Sequence, residues 1–332
     1  MLDRIEHFAI GPNGARIGRV TIRGGGLTAR ILTWGATVQS LYREGSPQSL
    51  LLGSPDIFAY FAQMRYFSAV VGPVANRIAG GRFTLGEAVY ETERNESGVT
   101  TLHGGFSGFA ERPWRVIDFG DSYCTMETSQ PDGFGGFPGP INVCVTYGLT
   151  DDGALSVQIS GTSEVSSVFA PAFHGYWNLS GSTDLLDHLL RISADRYLPV
   201  DERQIPTGVA SDVEGTPFDY RMAKTPDPDL DHNFCLSDVR EPLRDVAEVK
   251  AGRLSLCVQT TEPGLQVYSG GRTSSGRWPG HGGKPYGLNA GLALEPQAWP
   301  NAVNRPDFPS VRLSPGETVT QLSRFVISER DS

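Results

Sequence analysis

The sequence predicts an all-β protein, a large antiparallel β-sandwich with few short helices. Several segments alternate apolar and polar residues, as strands do when one face packs on a core and the other meets water. The chain contains 40 glycines and 23 prolines, and this composition favours many short strands joined by turns. Long amphipathic helical patterns are few, and no regular alternation of strands with helices indicates a parallel sheet.

The clearest hairpin lies near the middle of the chain. In residues 141–149 every odd position is apolar, residues 150–153 have the composition of a turn, and residues 154–159 return with the same alternation. This pattern is typical of two antiparallel strands with one buried face. Residues 254–260 and 318–325 repeat it. Because no break in composition separates these strands, we expect a single domain over residues 1–332.

The N-terminal third adds further strands and one helix. Strands are expected at residues 18–23, 27–32, 81–85 and 88–90. A short helix is expected over residues 57–63, because Ser54 suits the N-cap and Pro55 the first turn. The proline-rich residues 225–229 have the composition of a loop.

Composition and charge narrow the class of protein. The 332 residues are 39% hydrophobic and 20% charged, a normal globular balance. The net charge of −9, without a lysine or arginine cluster, argues against nucleic acid or an anionic membrane surface as a partner. The acidic N-terminal segment and the lack of a long apolar run predict a cytoplasmic protein. The four cysteines form no CxxC pair, so we expect buried thiols rather than disulfides or zinc ligands.

The most informative stretch of the chain is Phe173–Leu179, in which His174 lies among aromatic residues and a glycine. Pro171 just before it disfavours a regular helix, so His174 is expected on an extended segment or at its end. If this segment is a strand, Tyr176 lies on the same face as His174. We expect a bulge or turn at Gly175. A histidine taken alone is more often a hydrogen-bonded core residue than a functional one.

Two other stretches carry polar residues in unusual settings. Asn76 and Arg77 follow an apolar run, and a buried arginine needs a partner. A structural ion pair and a fork of donors aimed into a cavity are equally good interpretations of Arg77. His103 precedes two glycines, where the backbone turns freely and approaches other groups closely. A surface turn and a functional site explain that stretch equally well.

The later part of the chain supplies candidate acids and amides. Asp231 precedes a histidine and an aromatic residue, which fits either a turn or a binding site. Gln266 is flanked by apolar residues in a predicted strand. Glu295 ends an apolar run before a proline, so we expect a partly buried carboxylate whose pKa is raised. A buried glutamate is costly and seldom lacks a role.

Taken together, these stretches resemble the aldose 1-epimerase (galactose mutarotase) family over almost the full length. Six stretches in the family's order carry the resemblance, namely residues 72–78, 102–105, 174–179, 231–234, 263–268 and 294–304. The resemblance implies a galactose-mutarotase-like β-sandwich with a cleft across one sheet. It also implies interconversion of the α and β anomers of a free aldose.

The resemblance further implies a role for each matching residue. His174 would be the general acid and Glu295 the general base, and the sugar would be held by Asn76, Arg77, His103, Asp231 and Gln266. No cofactor and no metal are implied, and the partner is a monosaccharide bound by a monomer or homodimer. Trp299 and Phe234 are candidates for an aromatic face against the sugar ring.

The implied chemistry suits these side chains. Opening a hemiacetal ring removes a proton from the C1 hydroxyl and delivers one to the ring oxygen. A carboxylate with a raised pKa suits the first task, and a protonated imidazole suits the second. No redox change occurs, so no nicotinamide is needed, and no glycine-rich phosphate loop follows a strand.

Three alternatives remain open from the sequence. A glycoside hydrolase or lyase on the same fold would use a pair of carboxylates, for which Asp231 and Glu295 are candidates. A non-catalytic sugar-binding β-sandwich would need no acid–base pair. A metal enzyme would use His103, His174 and His232, although these histidines lack the usual ligand spacing.

Overall fold

Strands account for most of the ordered structure in the computed structural model, which describes residues 5–329. Those of the first half are β1 (Glu6–Ile10), β2 (Arg16–Gly24), β3 (Leu27–Leu32), β4 (Val38–Arg43), β5 (Val70–Val71), β6 (Arg77–Ile78), β7 (Arg82–Leu85), β8 (Ala88–Glu91), β9 (Thr101–Leu102), β10 (Arg115–Phe119), β11 (Tyr123–Gln130), β12 (Ile141–Thr150) and β13 (Ala154–Ser163). Those of the second half are β14 (Ser167–Val168), β15 (Ala172–Phe173), β16 (Gly175–Trp177), β17 (Leu189–Ile192), β18 (Arg196–Tyr197), β19 (Ser211–Asp212), β20 (Asp231–Cys235), β21 (Arg244–Ala251), β22 (Leu254–Thr260), β23 (Gly264–Tyr268), β24 (Leu292–Gln297), β25 (Arg312–Leu313) and β26 (Thr318–Glu329).

Three larger antiparallel sheets organise these strands. One has the order β1-β2-β3-β4, the second β10-β11-β12-β13-β26-β22-β21-β17, and the third β16-β24-β23-β20-β18-β19. Shorter pairs join β5 to β15, β6 to β9, β7 to β8 and β14 to β25. The predicted all-β fold is confirmed, including the hairpin of β12 and β13.

Helical structure is sparse within the described range. The single α-helix, α1, covers only Ile57–Tyr60, and Asp56 caps it by accepting a hydrogen bond from the Phe58 N–H at 2.9 Å. The predicted helix over residues 57–63 therefore begins where expected but is too long, and its N-cap is Asp56 rather than Ser54. The Tyr60 hydroxyl folds back onto Ser54, and the chain continues in turns. Short 3-10 turns occur at Pro12–Gly14, Ala79–Gly81, Phe109–Glu111, Phe134–Gly136 and Ala302–Asn304.

One large hydrophobic core joins the three sheets. Its side chains include Ile31 from the four-stranded sheet, Val145 and Phe325 from the eight-stranded sheet, and Phe234 and Leu294 from the six-stranded sheet. Because strand side chains alternate, each sheet has a second face directed away from this core. The second face of the six-stranded sheet holds the candidate site.

The state of the cysteines and the length of the helices also bear on the predictions. All four cysteines are free thiols, with Cys124 and Cys235 buried and Cys144 and Cys257 half-buried. Among residues 5–329, no helix has both the length and the apolar character needed to cross a membrane.

Candidate active site

Strand register gathers the polar candidates on one face of the six-stranded sheet. Gln266 lies opposite Glu295 across β23 and β24, and Asp231 lies opposite Tyr268 across β20 and β23. Tyr176 pairs with Ala293 at the edge of the same face. The alternate residues of these strands enter the large core, so the polar residues point the other way. This alternation brings together side chains from distant parts of the chain.

His174 lies at an interruption between two short strands. β15 before it pairs with β5, whereas β16 after it pairs with β24. Its backbone N–H donates to the Ala69 carbonyl at 2.9 Å, and its carbonyl accepts from the Ser68 N–H at 2.8 Å. A Cβ at Gly175 would come within 2.7 Å of the Phe173 ring, so only glycine fits there. The predicted bulge or turn at Gly175 was wrong, because Gly175 pairs with Leu294 in β16 and the interruption lies one residue earlier, at His174.

His174 and Glu295 form a buried pair. The Nε2 atom of His174 lies 3.4 Å from Oε1 of Glu295, and the two residues are 4% and 2% exposed. Within the described residues, Nδ1 of His174 and Oε2 of Glu295 make no hydrogen bond. Buried polar atoms are rarely left without partners. The pair therefore has hydrogen-bonding capacity to offer a ligand.

Burial shifts the pKa values of this pair in opposite directions. The pKa of Glu295 is raised well above its usual value, first by burial and then by the nearby Asp231, while Arg77 opposes the rise. Burial lowers the pKa of His174 to about 4. The predicted rise for the carboxyl is confirmed. The expected protonated imidazole is not favoured at neutral pH, because a buried charge is costly.

His103 approaches the pair as a hydrogen-bond donor. The ring atom Nδ1 of His103 accepts from the backbone N–H of Asn76 at 3.1 Å, and the backbone N–H of His103 donates to the Asn76 carbonyl at 2.9 Å. Burial lowers the pKa of His103 well below its usual value, so the ring is neutral. A neutral imidazole that accepts at Nδ1 carries its proton on Nε2. His103 can therefore donate from Nε2.

Arg77 has the partner that its apolar setting predicts. Its Nε and Nη2 atoms each lie 2.8 Å from an oxygen of Glu96, and Thr100 donates to the same carboxylate at 2.6 Å. The ion-pair interpretation of Arg77 is confirmed. The guanidinium also interacts electrostatically with Asp231 and Glu295, so it acts on the site as well.

Asp231 and Gln266 form a second polar contact on the same face. The Gln266 Nε2 donates to Oδ1 of Asp231 at 2.6 Å. Burial raises the pKa of Asp231, while Arg77 and the Gln266 hydrogen bond oppose the rise. The contact orients an amide oxygen and a carboxylate oxygen that can accept from hydroxyl groups. The structure thus brings together all seven residues singled out in the sequence.

Backbone strain accompanies this grouping. Ser68, Asn76 and His103 have φ values of 54°, 57° and 52°, which non-glycine residues seldom adopt. Such conformations cost roughly 1–3 kcal/mol each and concentrate at functional sites. At the next residue, a Cβ on Gly104 would come within 2.0 Å of the Gly72 carbonyl oxygen. The glycine after His103 is therefore required by close packing.

Two further residues lie at the site and were not predicted from the sequence. Tyr66 contacts the His103 ring at 4.7 Å and lies nearly parallel to the His174 ring at 6.3 Å between centroids. Glu96, the partner of Arg77, was also missed. Glu96 could have been predicted, because a buried arginine needs an acidic partner and Glu96 follows Arg77 closely in the sequence. No local sequence pattern indicates Tyr66.

Three other candidates have different positions. Phe234 is fully buried in the large core, on the opposite side of β20 from Asp231, so the prediction was wrong for this residue. Trp299 packs on Phe308, and its Nε1 donates to the Pro263 carbonyl; its place against the sugar ring stays a prediction. His232 points to the opposite side of β20 from Asp231 and packs on Phe218 at 4.2 Å. The proposed trio of His103, His174 and His232 is therefore not a cluster.

Within residues 5–329, the group of side chains that could hold a metal is His103, His174 and Glu295, whose ligand atoms lie within 4.8 Å of one another. A metal bound through Nε2 of His103 would move the ring proton to Nδ1. That proton would then oppose the Asn76 N–H, which already donates to Nδ1. The tautomer of His103 thus suits hydrogen-bond donation better than metal coordination.

Comparisons with known proteins agree with this geometry. A family model described as aldose 1-epimerase matches residues 18–325. A galactose mutarotase of Rattus norvegicus is 39% identical over 332 residues, covering 95% of each chain. An aldose 1-epimerase of Escherichia coli K12 is 36% identical over 342 residues, covering 96% of this chain and 98% of the relative. A solved aldose epimerase homologue from C. elegans superposes with a TM-score of 0.89 at 28% identity, covering 95% of this chain and 100% of that one.

Proposed function

The chain belongs to the aldose 1-epimerase family, and we propose that it is a mutarotase in which His174 and Glu295 interconvert the α and β anomers of free aldoses such as glucose or galactose. The relatives named galactose mutarotase and aldose 1-epimerase support this activity. The single observation that carries the residue assignment is the buried contact between His174 Nε2 and Glu295 Oε1. An isomerase of this kind needs one acid and one base close enough together to reach the ring oxygen and the C1 hydroxyl of the same sugar.

The reaction is a reversible ring opening. Glu295 takes the proton of the C1 hydroxyl while His174 gives a proton to the ring oxygen, and the bond between C1 and the ring oxygen breaks. The product is an open aldehyde with a new hydroxyl group. Rotation about the C1–C2 bond presents the other face of the aldehyde. Closure then reverses both proton transfers and returns the pair to its starting state.

The pair conserves its proton throughout this cycle. Before opening, the proton lies on His174 and the carboxylate is charged; after opening, His174 is neutral and Glu295 is protonated. Both states hold one proton and have no net charge. Burial favours the second state, because it raises the pKa of Glu295 and lowers that of His174. We propose that the free pair stores its proton on Glu295 and passes it to His174 when a sugar binds.

The remaining polar residues would hold the sugar. Asp231 and the Gln266 amide oxygen accept from hydroxyl groups, and His103 and Arg77 donate. Asn76 would donate to the sugar from its side-chain amide nitrogen, since its side-chain oxygen accepts from the backbone N–H of Arg77 at 2.9 Å and its backbone fixes His103. Charged and bidentate hydrogen bonds are the stronger ones, so Asp231 and Arg77 are the main contacts in this proposal.

The geometry favours this reaction over the alternatives. A glycoside hydrolase would use Asp231 and Glu295 as its two carboxyl groups. Asp231 is instead hydrogen-bonded to Gln266, and Glu295 faces an imidazole. A binding protein without turnover would not need a pair whose pKa values are shifted apart, which is typical of acid–base catalysts.

Relaxation of freshly dissolved α-sugars tests the proposal. Polarimetry or proton NMR of the anomeric signals should show faster approach to equilibrium for at least one common aldose, without added cofactor or metal. The final anomer ratio should stay the same, because a catalyst does not move an equilibrium. Relaxation rates equal to the buffer blank across a panel of hexoses and pentoses would refute the proposal.

We also propose a cellular compartment, a class of ligand and an oligomeric state for the enzyme. The free thiols support a reducing compartment such as the cytoplasm, and the net charge of −9 supports a small neutral ligand rather than nucleic acid. A monomer or homodimer is proposed, and light scattering at several concentrations distinguishes them. Cell fractionation tests the compartment.

A further inference from the structure

Tyr66 connects the two segments that carry the catalytic-site histidines. Its ring contacts the His103 ring at 4.7 Å and the His174 ring at 6.3 Å, and the two imidazoles are 5.0 Å apart. Each ring of this set is therefore near both others. Asn76 holds His103 and Glu295 lies against His174, but Tyr66 is the residue whose ring lies beside both imidazoles.

The backbone after Tyr66 is tied to His174. The Ser68 N–H donates to the His174 carbonyl at 2.8 Å, and the His174 N–H donates to the Ala69 carbonyl at 2.9 Å. Ser68 has a φ of 54°, so the chain adopts a strained conformation to make these contacts. Tyr66 thus lies on a segment whose position relative to His174 is fixed.

The phenol of Tyr66 is tied to the segment of His103. The side-chain amide of Asn95 donates to the Tyr66 hydroxyl at 3.2 Å and to the Leu102 carbonyl at 3.0 Å. The Leu102 N–H donates back to the Asn95 side chain at 2.7 Å. Leu102 directly precedes His103. One end of Tyr66 is therefore anchored beside His174 and the other beside His103.

We propose that Tyr66 is a positioning residue that sets the relative orientation of the His103 and His174 imidazoles. It acts through these rings, with no contact to the sugar required. The inference rests on the proposed function, since it concerns how the acid and a sugar-binding donor are held for anomer exchange. Small displacements of a reacting group cost rate steeply, because the productive geometry is narrow.

The main test compares three variants of folded protein. Tyr66→Leu removes the ring, and we expect kcat to fall roughly 10- to 100-fold. Tyr66→Phe keeps the ring and should restore kcat to within about threefold of the wild type. Tyr60→Leu is the matched control, because Tyr60 is a buried tyrosine on the same segment whose hydroxyl bonds Ser54. It should lower the melting temperature and leave kcat of the folded enzyme unchanged.

A second readout does not depend on turnover. Nitrogen-15 NMR signals of the imidazoles, assigned with His103→Asn and His174→Asn, should shift for both histidines in Tyr66→Leu and for neither in Tyr60→Leu. If Tyr66→Leu fails to fold, Tyr66→Met fills the same space with a flexible side chain and takes its place. These signals remain informative even if the wild type fails to speed sugar relaxation, so the two proposals fail separately.

Two outcomes would overturn the inference. One is a folded Tyr66→Leu variant whose kcat stays within twofold of the wild type. The other is a fall in kcat with unchanged imidazole signals, which would mean that Tyr66 acts directly on the sugar or on stability alone.

Discussion

The six-stranded and eight-stranded sheets carry the same kinds of polar groups, but the six-stranded sheet buries a cluster of them on the face that is directed away from the large core. Gln158 on β13 is exposed, whereas Gln266 on β23 is 3% exposed. A histidine–carboxylate pair occurs in each region, with His188 and Asp187 beside β17 of the eight-stranded sheet. The Asp187 side chain is 46% exposed, whereas the Glu295 side chain of the proposed acid–base pair is 2% exposed.

This difference in burial changes the free-energy cost of the same polar groups. On the outer face of the eight-stranded sheet, polar groups bond each other or reach water, as in the Thr125–Thr146 contact at 3.0 Å. On the site face, Glu295 Oε2, His174 Nδ1 and the Asn233 amide lack partners within the described residues. An unpaired buried polar group costs about 1–3 kcal/mol. We infer that these costs are retained because the groups serve the reaction.

The largest expected effect concerns the histidine–carboxylate pairs. His174→Asn and Glu295→Gln should each lower kcat roughly 10²–10⁴-fold, the usual scale for a positioned acid or base. The double variant should lose far less than the product, because one missing partner already disables the transfer. His188→Asn is the matched control and should reduce thermal stability without changing kcat.

Steady-state relaxation rates and circular dichroism check this comparison. Near-normal kcat in either folded single variant would remove that residue from the acid–base pair. Loss of kcat in folded His188→Asn would show that the two pairs are not functionally distinct.

The glutamines give the next largest effect. Gln266→Glu would place a second carboxylate against Asp231, where the amide now donates at 2.6 Å. We expect kcat/KM to fall roughly 100-fold, since close like charges in a buried site are strongly unfavourable. Gln158→Glu on the exposed face should change kcat/KM by less than about twofold. Equal losses of kcat/KM in Gln266→Glu and Gln158→Glu would mean that burial of the site face does not determine the effect of an added carboxylate.

A smaller effect is expected for the arginine–carboxylate pairs. Glu96→Gln removes the charge that holds the Arg77 guanidinium, and we expect KM to rise roughly tenfold with kcat within about threefold. In the eight-stranded sheet, Arg324 pairs with Asp152, whose side chain is 54% exposed. Asp152→Asn should leave both constants unchanged, because exposed ion pairs contribute little. A lower kcat with unchanged KM in Glu96→Gln would contradict a binding role for Arg77.

The smallest expected change is in the pH profile. The active pair holds one proton, so kcat/KM should fall on the acid side only when His174 takes up a second proton. Burial lowers the pKa of His174 to about 4, so activity should persist from neutral pH down to about pH 4. On the alkaline side it should fall as Glu295, whose pKa is raised, loses the last proton. An acid limb near 6.5 would indicate an imidazole in contact with water.

The sequence was informative about strands and about the kinds of residue in the site. The alternation in residues 141–149 and 154–159 predicted β12 and β13, because a sheet with one exposed face has a two-residue period. The resemblance pointed to seven residues that the structure brings together. The local pattern was misleading for α1, which is capped by Asp56 and covers only Ile57–Tyr60. The prediction of an aromatic face against the sugar failed for Phe234, which is a core residue.

By itself, the sequence determined the fold class and the chemistry on offer, since side-chain period and residue type are local properties. Only the tertiary structure decided which groups meet. His174 reaches Glu295 because β16 and β24 are neighbours, and Gln266 reaches Asp231 because β20 and β23 are paired. The pKa shifts and the contacts of Tyr66 also depend on packing between distant segments. Burial and distance arise from that packing, and no single stretch of chain contains them.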